Sequence, residues 1–192
     1  MIEYLNNYIS EQKAALEAIP VGQVEKLIRK FQLALKEDKQ IFVFGNGGSA
    51  SNASHFITDL GKSASDNSYR RFRCLSLNEN LSWITAIGND YTYEDIYLRQ
   101  LQNYARPGDM VMMLSVSGSS PNMVKAAEWC KQNEVYVVAL VGAKKGQLAT
   151  VADDFIAINS THYGRVEDCQ MHICHMVCYA FIELKEMQQA LT

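Results

Sequence analysis

Three stretches of this sequence bring together residue types able to do chemistry. In IFVFGNGGSASNASHF, Ile41 to Phe56, the glycines Gly45, Gly47 and Gly48 let a ligand approach bare backbone around Asn46. Ser49 falls where a following helix exposes free N–H groups, a place that attracts anions. His55 and Asp59 are four apart, so on a helix they share a face, aimed as a metal pair or an acid/base pair would be. A solvated or capped pair is the plain alternative. In SVSGSSPN, Ser115 to Asn122, the hydroxyls of Ser115, Ser117, Ser119 and Ser120 crowd a turn around Gly118. Pro121 needs no N–H at a first helical position, which makes Ser120 the natural N-cap. Four hydroxyls and free helix N–H groups, with no lysine in the turn, form a neutral cradle for a phosphate, against the plainer reading of a capped helix after a serine-rich loop. The third stretch carries Arg165, Glu167, Asp168, His172 and His175. On a helix, Glu167 and His175 lie about 80° apart on one broad side. Asp168, His172 and His175 also share a face, so either set has the makings of a metal site, and an exposed polar face accounts for both.

The elements that must position these residues follow from periodicity. Ile41 to Phe44, Arg73 to Leu77, Val111 to Leu114, Val135 to Val141 and Asp154 to Ile158 read as strands, most of them apolar runs bounded by turn signals. Helical patterns lie between them, predicting a doubly wound, five-stranded parallel α/β sheet of flavodoxin-like type. Ligands of such sheets bind beyond the carboxyl ends of the strands, where both the glycine and the serine turns fall. Two amphipathic helices come first, one to about residue 17 and one to about Lys36, separated by Pro20. They form an extension, 1–36, suited to subunit contacts, ahead of a ligand-binding domain over 37–192. LSWITAIGND reads as a helix stopped by Gly88 and Asn89, leaving Asp90 at a loop tip. A further helix is predicted from about Tyr93 to Tyr104, and a final one from about Tyr163 to Leu191.

Composition narrows the class. With 192 residues, 48% hydrophobic and 20% charged, the chain is long enough for one globular domain with a substantial core. A net charge of −3 supplies no electrostatic footprint for nucleic acid or an acidic membrane, and the one basic knot, Arg70, Arg71 and Arg73, is short. Five cysteines, odd in number and without a CxxC pair, suggest neither a zinc knuckle nor a disulfide framework, and point to the cytoplasm. No apolar run approaches a bilayer's span, and MIEYLNNY is too polar for a signal peptide.

The stretches GNGGSASNASHF (Gly45 to Phe56), AIGND (Ala86 to Asp90), SVSGSSPN (Ser115 to Asn122) and RVEDCQMHICH (Arg165 to His175) together resemble the sugar isomerase (SIS) domain family, and within it the phosphoheptose isomerases. The likeness covers nearly the whole chain. Its specific part is the GNGGS turn joined to a downstream His, since SxSGxS alone says only SIS. The resemblance implies an aldose-ketose isomerase that converts sedoheptulose 7-phosphate to D-glycero-D-manno-heptose 7-phosphate through an enediol, for bacterial lipopolysaccharide, capsule or O-antigen heptose. It implies phosphate binding by Ser115, Ser117 and Ser120, with Asn46, Gly47, Gly48, Asn89 and Asp90 lining the sugar. Ser49 and Ser119 join the substrate-binding candidates by their places in the two turns. It further implies zinc on His55, Asp59, Glu167 and His175, with Asp59 or Glu167 as base and His175 as proton shuttle, in a homotetramer. The chain departs from the family pattern at three places: Asp59 stands where Glu is usual, Glu167 where Gln is usual, and Gln170 where His is usual. An isomerase for another phosphosugar, or a non-catalytic SIS-domain binding protein of the replication-initiation-regulator type, are the competing readings.

Overall fold

The structure, a computed structural model, describes residues 1–189. Helices α1 (Ile2–Glu17) and α2 (Val21–Lys36) precede strand β1 (Gln40–Gly45). Helix α3 (Gly48–Asp59) then runs through a π-helical turn (Leu60–Ala64) into the short α4 (Ser65–Asn67). Next come β2 (Arg73–Ser76), α5 (Leu81–Asp90), a 3₁₀ turn (Tyr93–Asp95), α6 (Leu98–Tyr104), β3 (Met110–Ser115) and α7 (Pro121–Gln132). The chain continues through β4 (Tyr136–Val141), α8 (Leu148–Val151), β5 (Asp154–Ala157), α9 (Tyr163–Glu183) and α10 (Lys185–Gln188).

All five strands are parallel, in the order β2-β1-β3-β4-β5, as the sequence predicts for a flavodoxin-like sheet. Strand residues alternate between two cores. Ile41 and Val43 of β1 face a layer built from α2, α3 and α9, while Phe42 and Phe44 face α6, α7 and α8. The central strands are apolar throughout because both of their faces are covered. The second helix buries Val24, Leu27, Phe31 and Leu35, and Phe31 meets Phe56 of α3 edge to face with ring centroids 5.6 Å apart. By contrast, α1 buries only Ala15, leaving Ile2, Leu5 and Ile9 exposed.

Three local expectations change. Helix α5 continues through Gly88 to Asp90, because Gly88 does not take up positive φ and Tyr91 N–H closes onto Ile87 O, so Asp90 ends a helix rather than tipping a loop. The segment 93–104 is broken in two. Asp95 is buried where Thr92 Oγ1 and Lys125 Nζ both reach it, at 2.7 and 2.8 Å, and Tyr97 turns inward to stack on Phe44. The final long helix ends at Glu183, with Leu184 extended before α10; Leu191, its expected end, lies outside the described residues.

Candidate active site

Strand β1 pairs with β2 on one side and β3 on the other, so connections after β1 and β3 leave the sheet in opposite directions and open a crevice between them. The two ligand-type turns flank that crevice. A cleft there is lined by Asn46 and Ser49 from the first turn, by Ser115, Ser117 and Ser120 from the second, and by Tyr163 and Glu167 from α9. Ser119 is exposed outside this lining, and its N–H donates to Ser117 Oγ. Ser120 takes the predicted N-cap position before Pro121, but its hydroxyl makes no capping bond and instead lies 3.5 Å from Ser117 Oγ. That leaves the Ser117 and Ser120 hydroxyls side by side in the cleft, just ahead of the start of α7.

The serine turn is held from behind. Ser115 Oγ accepts from Gly118 N–H at 3.1 Å, Gly118 O accepts from Leu148 N–H at 2.8 Å, and Val116 O accepts from Gly142 N–H at 3.1 Å. Gly118 and Gly146 both have positive φ, +64° and +65°, and their backbones meet so closely that a Cβ on either would overlap the other's turn. This contact also brings the Lys144–Lys145 turn close to a loop whose own sequence has no lysine. Lys145 Nζ, however, is directed over the Phe155 ring, 5.7 Å from its centroid.

The glycine turn is held from the side. Asn78 Oδ1 accepts from Gly45 N–H, Asn78 Nδ2 donates to Gly45 O, and Tyr97 OH donates to the same carbonyl. The carboxamides of Asn46 and Asn122 exchange two hydrogen bonds, each 2.9 Å. Ser49 Oγ, buried, donates to Gln170 Oε1 at 2.9 Å, and Gln170 Nε2 donates on to Leu140 O. Gln170, which stands where the family pattern has His, is thus fully buried and committed to the protein.

Helices α3 and α9 pack together and carry the ionisable groups. Asp59 Oδ2 lies 3.3 Å from His55 Nε2 and 3.6 Å from His175 Nε2, and the two imidazole rings are 5.2 Å apart. Ligand atoms from these three side chains all fall within 4.8 Å of one another. Two imidazoles and a carboxylate, with both rings half exposed, form a donor set that fits zinc or a similar divalent ion with a coordination position left open. Glu167, the fourth expected ligand, is not in that cluster. It lies two turns back along α9, with its carboxylate against Gly48 at the start of α3 and facing the serine cleft. Burial, and secondarily the charge of Asp168, holds its pKa above the usual glutamate range. Neither helix-face set drawn from α9 alone assembles: His172 is exposed, its Nδ1 3.3 Å from the Asp168 backbone carbonyl. Gly48 packs against the Glu167 carboxylate, Gly47 follows Asn46 with positive φ, and Asn89 and Asp90 lie exposed on α5, hydrogen-bonded to each other and outside the cleft lining. A separate cavity between α2 and the β4–β5 edge sits near the amino ends of those strands; at its rim Lys26 pairs with Asp154, Asp153 pairs with Lys131 and Lys30 lies over the Tyr136 ring.

The sequence pattern of the SIS domain matches residues 3–142. The chain belongs to the SIS domain family. Within it, the chain groups with the phosphoheptose isomerases. It is 35% identical over 181 residues to the phosphoheptose isomerase of Akkermansia muciniphila, covering 93% of this chain and 95% of that one. It is 34% identical over 185 residues to that of Aneurinibacillus thermoaerophilus, covering 93% and 92%. The fold matches the solved phosphoheptose isomerase of Neisseria gonorrhoeae with a TM-score of 0.85 at 25% identity, over 93% of this chain and 97% of that one. The corresponding structure from Francisella tularensis gives a TM-score of 0.87 at 23% identity, over 95% and 98%.

Asn122, Asn78, Tyr97 and Tyr163 contribute to the site without having been singled out from sequence. Asn122 had one legible sign, its place directly after the Ser120-Pro121 helix start.

Proposed function

We propose that this SIS-domain isomerase interconverts sedoheptulose 7-phosphate and D-glycero-D-manno-heptose 7-phosphate. The observation that carries the reading is the convergence of the serine turn, Asn46 and the Glu167 carboxylate on one cleft at the sheet's switch point. The three-ligand cluster lies farther along the same helix pair. Ser115, Ser117 and Ser120 hold the phosphate, and this remote binding orients the carbonyl end of the sugar. In net conversion to the aldose, one proton leaves C1 and is delivered to C2, while the hydroxyl proton of O1 passes to O2. Glu167 is the group proposed to move the carbon-bound proton, because it faces the cleft and burial brings its pKa toward working pH. His55, Asp59 and His175 are the proposed zinc ligands, which makes His175 a ligand rather than a shuttle. A divalent ion held there would supply Lewis-acid polarisation to a sugar oxygen that reached it.

The finer points of the reading rest on separate features. Exposed Ile2, Leu5 and Ile9 on a helix that buries one residue favour a homo-oligomer, proposed as a tetramer with 1–36 making subunit contacts. Five free cysteines favour a reducing compartment, proposed as the cytoplasm, and among the described residues no helix is long and apolar enough to cross a membrane. Heptose supply for lipopolysaccharide, capsule or O-antigen is the proposed role.

The test is turnover of a panel of ketose phosphates by the purified protein, together with metal analysis of the unmodified chain and of His55→Ala. Sedoheptulose 7-phosphate is expected to be the best substrate, with about one divalent ion per chain that His55→Ala loses. Faster turnover of a different ketose phosphate overturns the substrate. Phosphate binding without any turnover overturns the enzyme in favour of a binding protein.

A further inference from the structure

The Asn46 carboxamide links the glycine turn to the start of α7, directly after the serine turn. It lines the cleft and bonds across to Asn122 in the first turn of that helix. Asn122 is 2% exposed, so neither of its amide groups is free to trade partners with water. Counting valences fixes what Asn46 has left to offer. Its Oδ1 accepts from Asn122 Nδ2 at 2.9 Å and from Tyr93 OH at 3.2 Å, which fills its two lone pairs. Tyr97 OH also lies 3.2 Å away, but its single proton goes to Gly45 O at the shorter distance. Asn46 Nδ2 gives one of its two protons to Asn122 Oδ1. One N–H remains without a protein partner among the described residues.

We infer that Asn122 is a positioning residue for the isomerisation: by pairing with Asn46 it holds that carboxamide in place at the cleft, and with Tyr93 OH donating to its Oδ1, Asn46 meets the sugar as a hydrogen-bond donor. This rests on the functional reading above. Its chemical content is a selectivity: the atom opposite Asn46 must be an acceptor, such as a carbonyl or enediolate oxygen of the substrate. Helix α7 reinforces the arrangement. Lys125, one turn beyond Asn122, grips Asp95 at 2.8 Å and so anchors the 3₁₀ turn that brings Tyr93 to Asn46 Oδ1. A single helix start thereby holds the phosphate cradle and orients the donor for the reacting end.

The test is a double-mutant cycle with Asn46→Ala, Asn122→Ala and the pair, read as kcat/KM for sedoheptulose 7-phosphate and as competition by inorganic phosphate. Each single change is expected to lower kcat/KM by about 10- to 100-fold, the scale of a misplaced active-site group. Inhibition by inorganic phosphate, which occupies only the serine turn, is expected to stay within about twofold in every variant. Asn122→Ala should add nothing in the Asn46→Ala background, because it acts through that residue alone. Equal losses from Asn122→Ala in both backgrounds, or a parallel loss of phosphate binding, overturns the proposal. Asn122→Asp guards against a variant that fails to fold: an acid suits the first turn of a helix, yet it cannot donate to Asn46 Oδ1. It should therefore fold as the parent does and match Asn122→Ala in kcat/KM; parental kinetics from Asn122→Asp would also overturn the assignment. If the unmodified chain turns over no sedoheptulose 7-phosphate, the functional reading fails by itself. The same cycle read as calorimetric binding of that sugar then decides the positioning role, non-additive losses sustaining it and additive or absent losses overturning it.

Discussion

Glu167 is the residue proposed to move the carbon-bound proton, and its surroundings make a pH test possible. Its carboxyl is held above the ordinary glutamate range first by burial and then by the neighbouring charge of Asp168. A base works when deprotonated, so kcat/KM is expected to rise as pH climbs through that raised value. Asp168→Asn removes the second cause and leaves the first; the acid limb of the profile should move to lower pH while staying above that of an ordinary glutamate. No movement, or movement upward, would show that a different group titrates. Glu167→Gln should cut kcat by about 10²- to 10⁴-fold with little change in KM. The linkage runs the other way for stability: a carboxyl with a raised folded-state pKa costs stability as pH climbs through the window between its ordinary and raised values. At neutral pH, Glu167→Gln is therefore expected to shift the denaturation midpoint upward, a gain in stability bought with function. At this scale the sequence was only partly legible. The spacing of four put His55 and Asp59 on one face, and the structure has them there, because that relation is local. That His175 completes their cluster while Glu167 does not depends on how α3 and α9 cross, which no single helix's periodicity contains.

At the scale of elements, the turn after β4 serves as the backing of the serine turn. Gly146→Ala places a methyl group into the Gly118 backbone at a residue whose φ is +65°. About 1–3 kcal/mol of destabilisation is expected from the strained backbone alone. The serine turn, the proposed phosphate site, should shift with it. The kinetic signature is a raised KM with a smaller change in kcat, measured alongside thermal unfolding; a fall in kcat at unchanged KM would refute the backing role. Strands were the most legible elements, since apolar runs such as Val137–Val141 between turn signals have few other uses in a chain of this length. Helix ends were less so. Gly88 resembles a stop signal, but a glycine ends a helix only where the chain uses its positive φ, and here it does not. The break between the 3₁₀ turn and α6 was invisible for a related reason: its cause is Lys125, thirty residues away from Asp95.

At the scale of the molecule, the order of the strands puts both turns beside one crevice, and that much follows from counting strands and helices along the chain. What the sequence marked without locating is the partner of α1. Replacing Leu5 and Ile9 together with Glu should leave the protomer folded, because both side chains are about half exposed, at 49% and 52%. Light scattering coupled to size exclusion is expected to show a smaller assembly than the parent. An unchanged mass would overturn the proposed subunit contact through these residues. The cysteines carry a different consequence. Cys130 lies in the layer under α7 and Cys169, Cys174 and Cys178 in the layer under α9, all buried and none in a disulfide. Each side of the sheet thus holds its own silent thiols, and alkylation mapped by mass spectrometry would time the opening of one side against the other without a single engineered label.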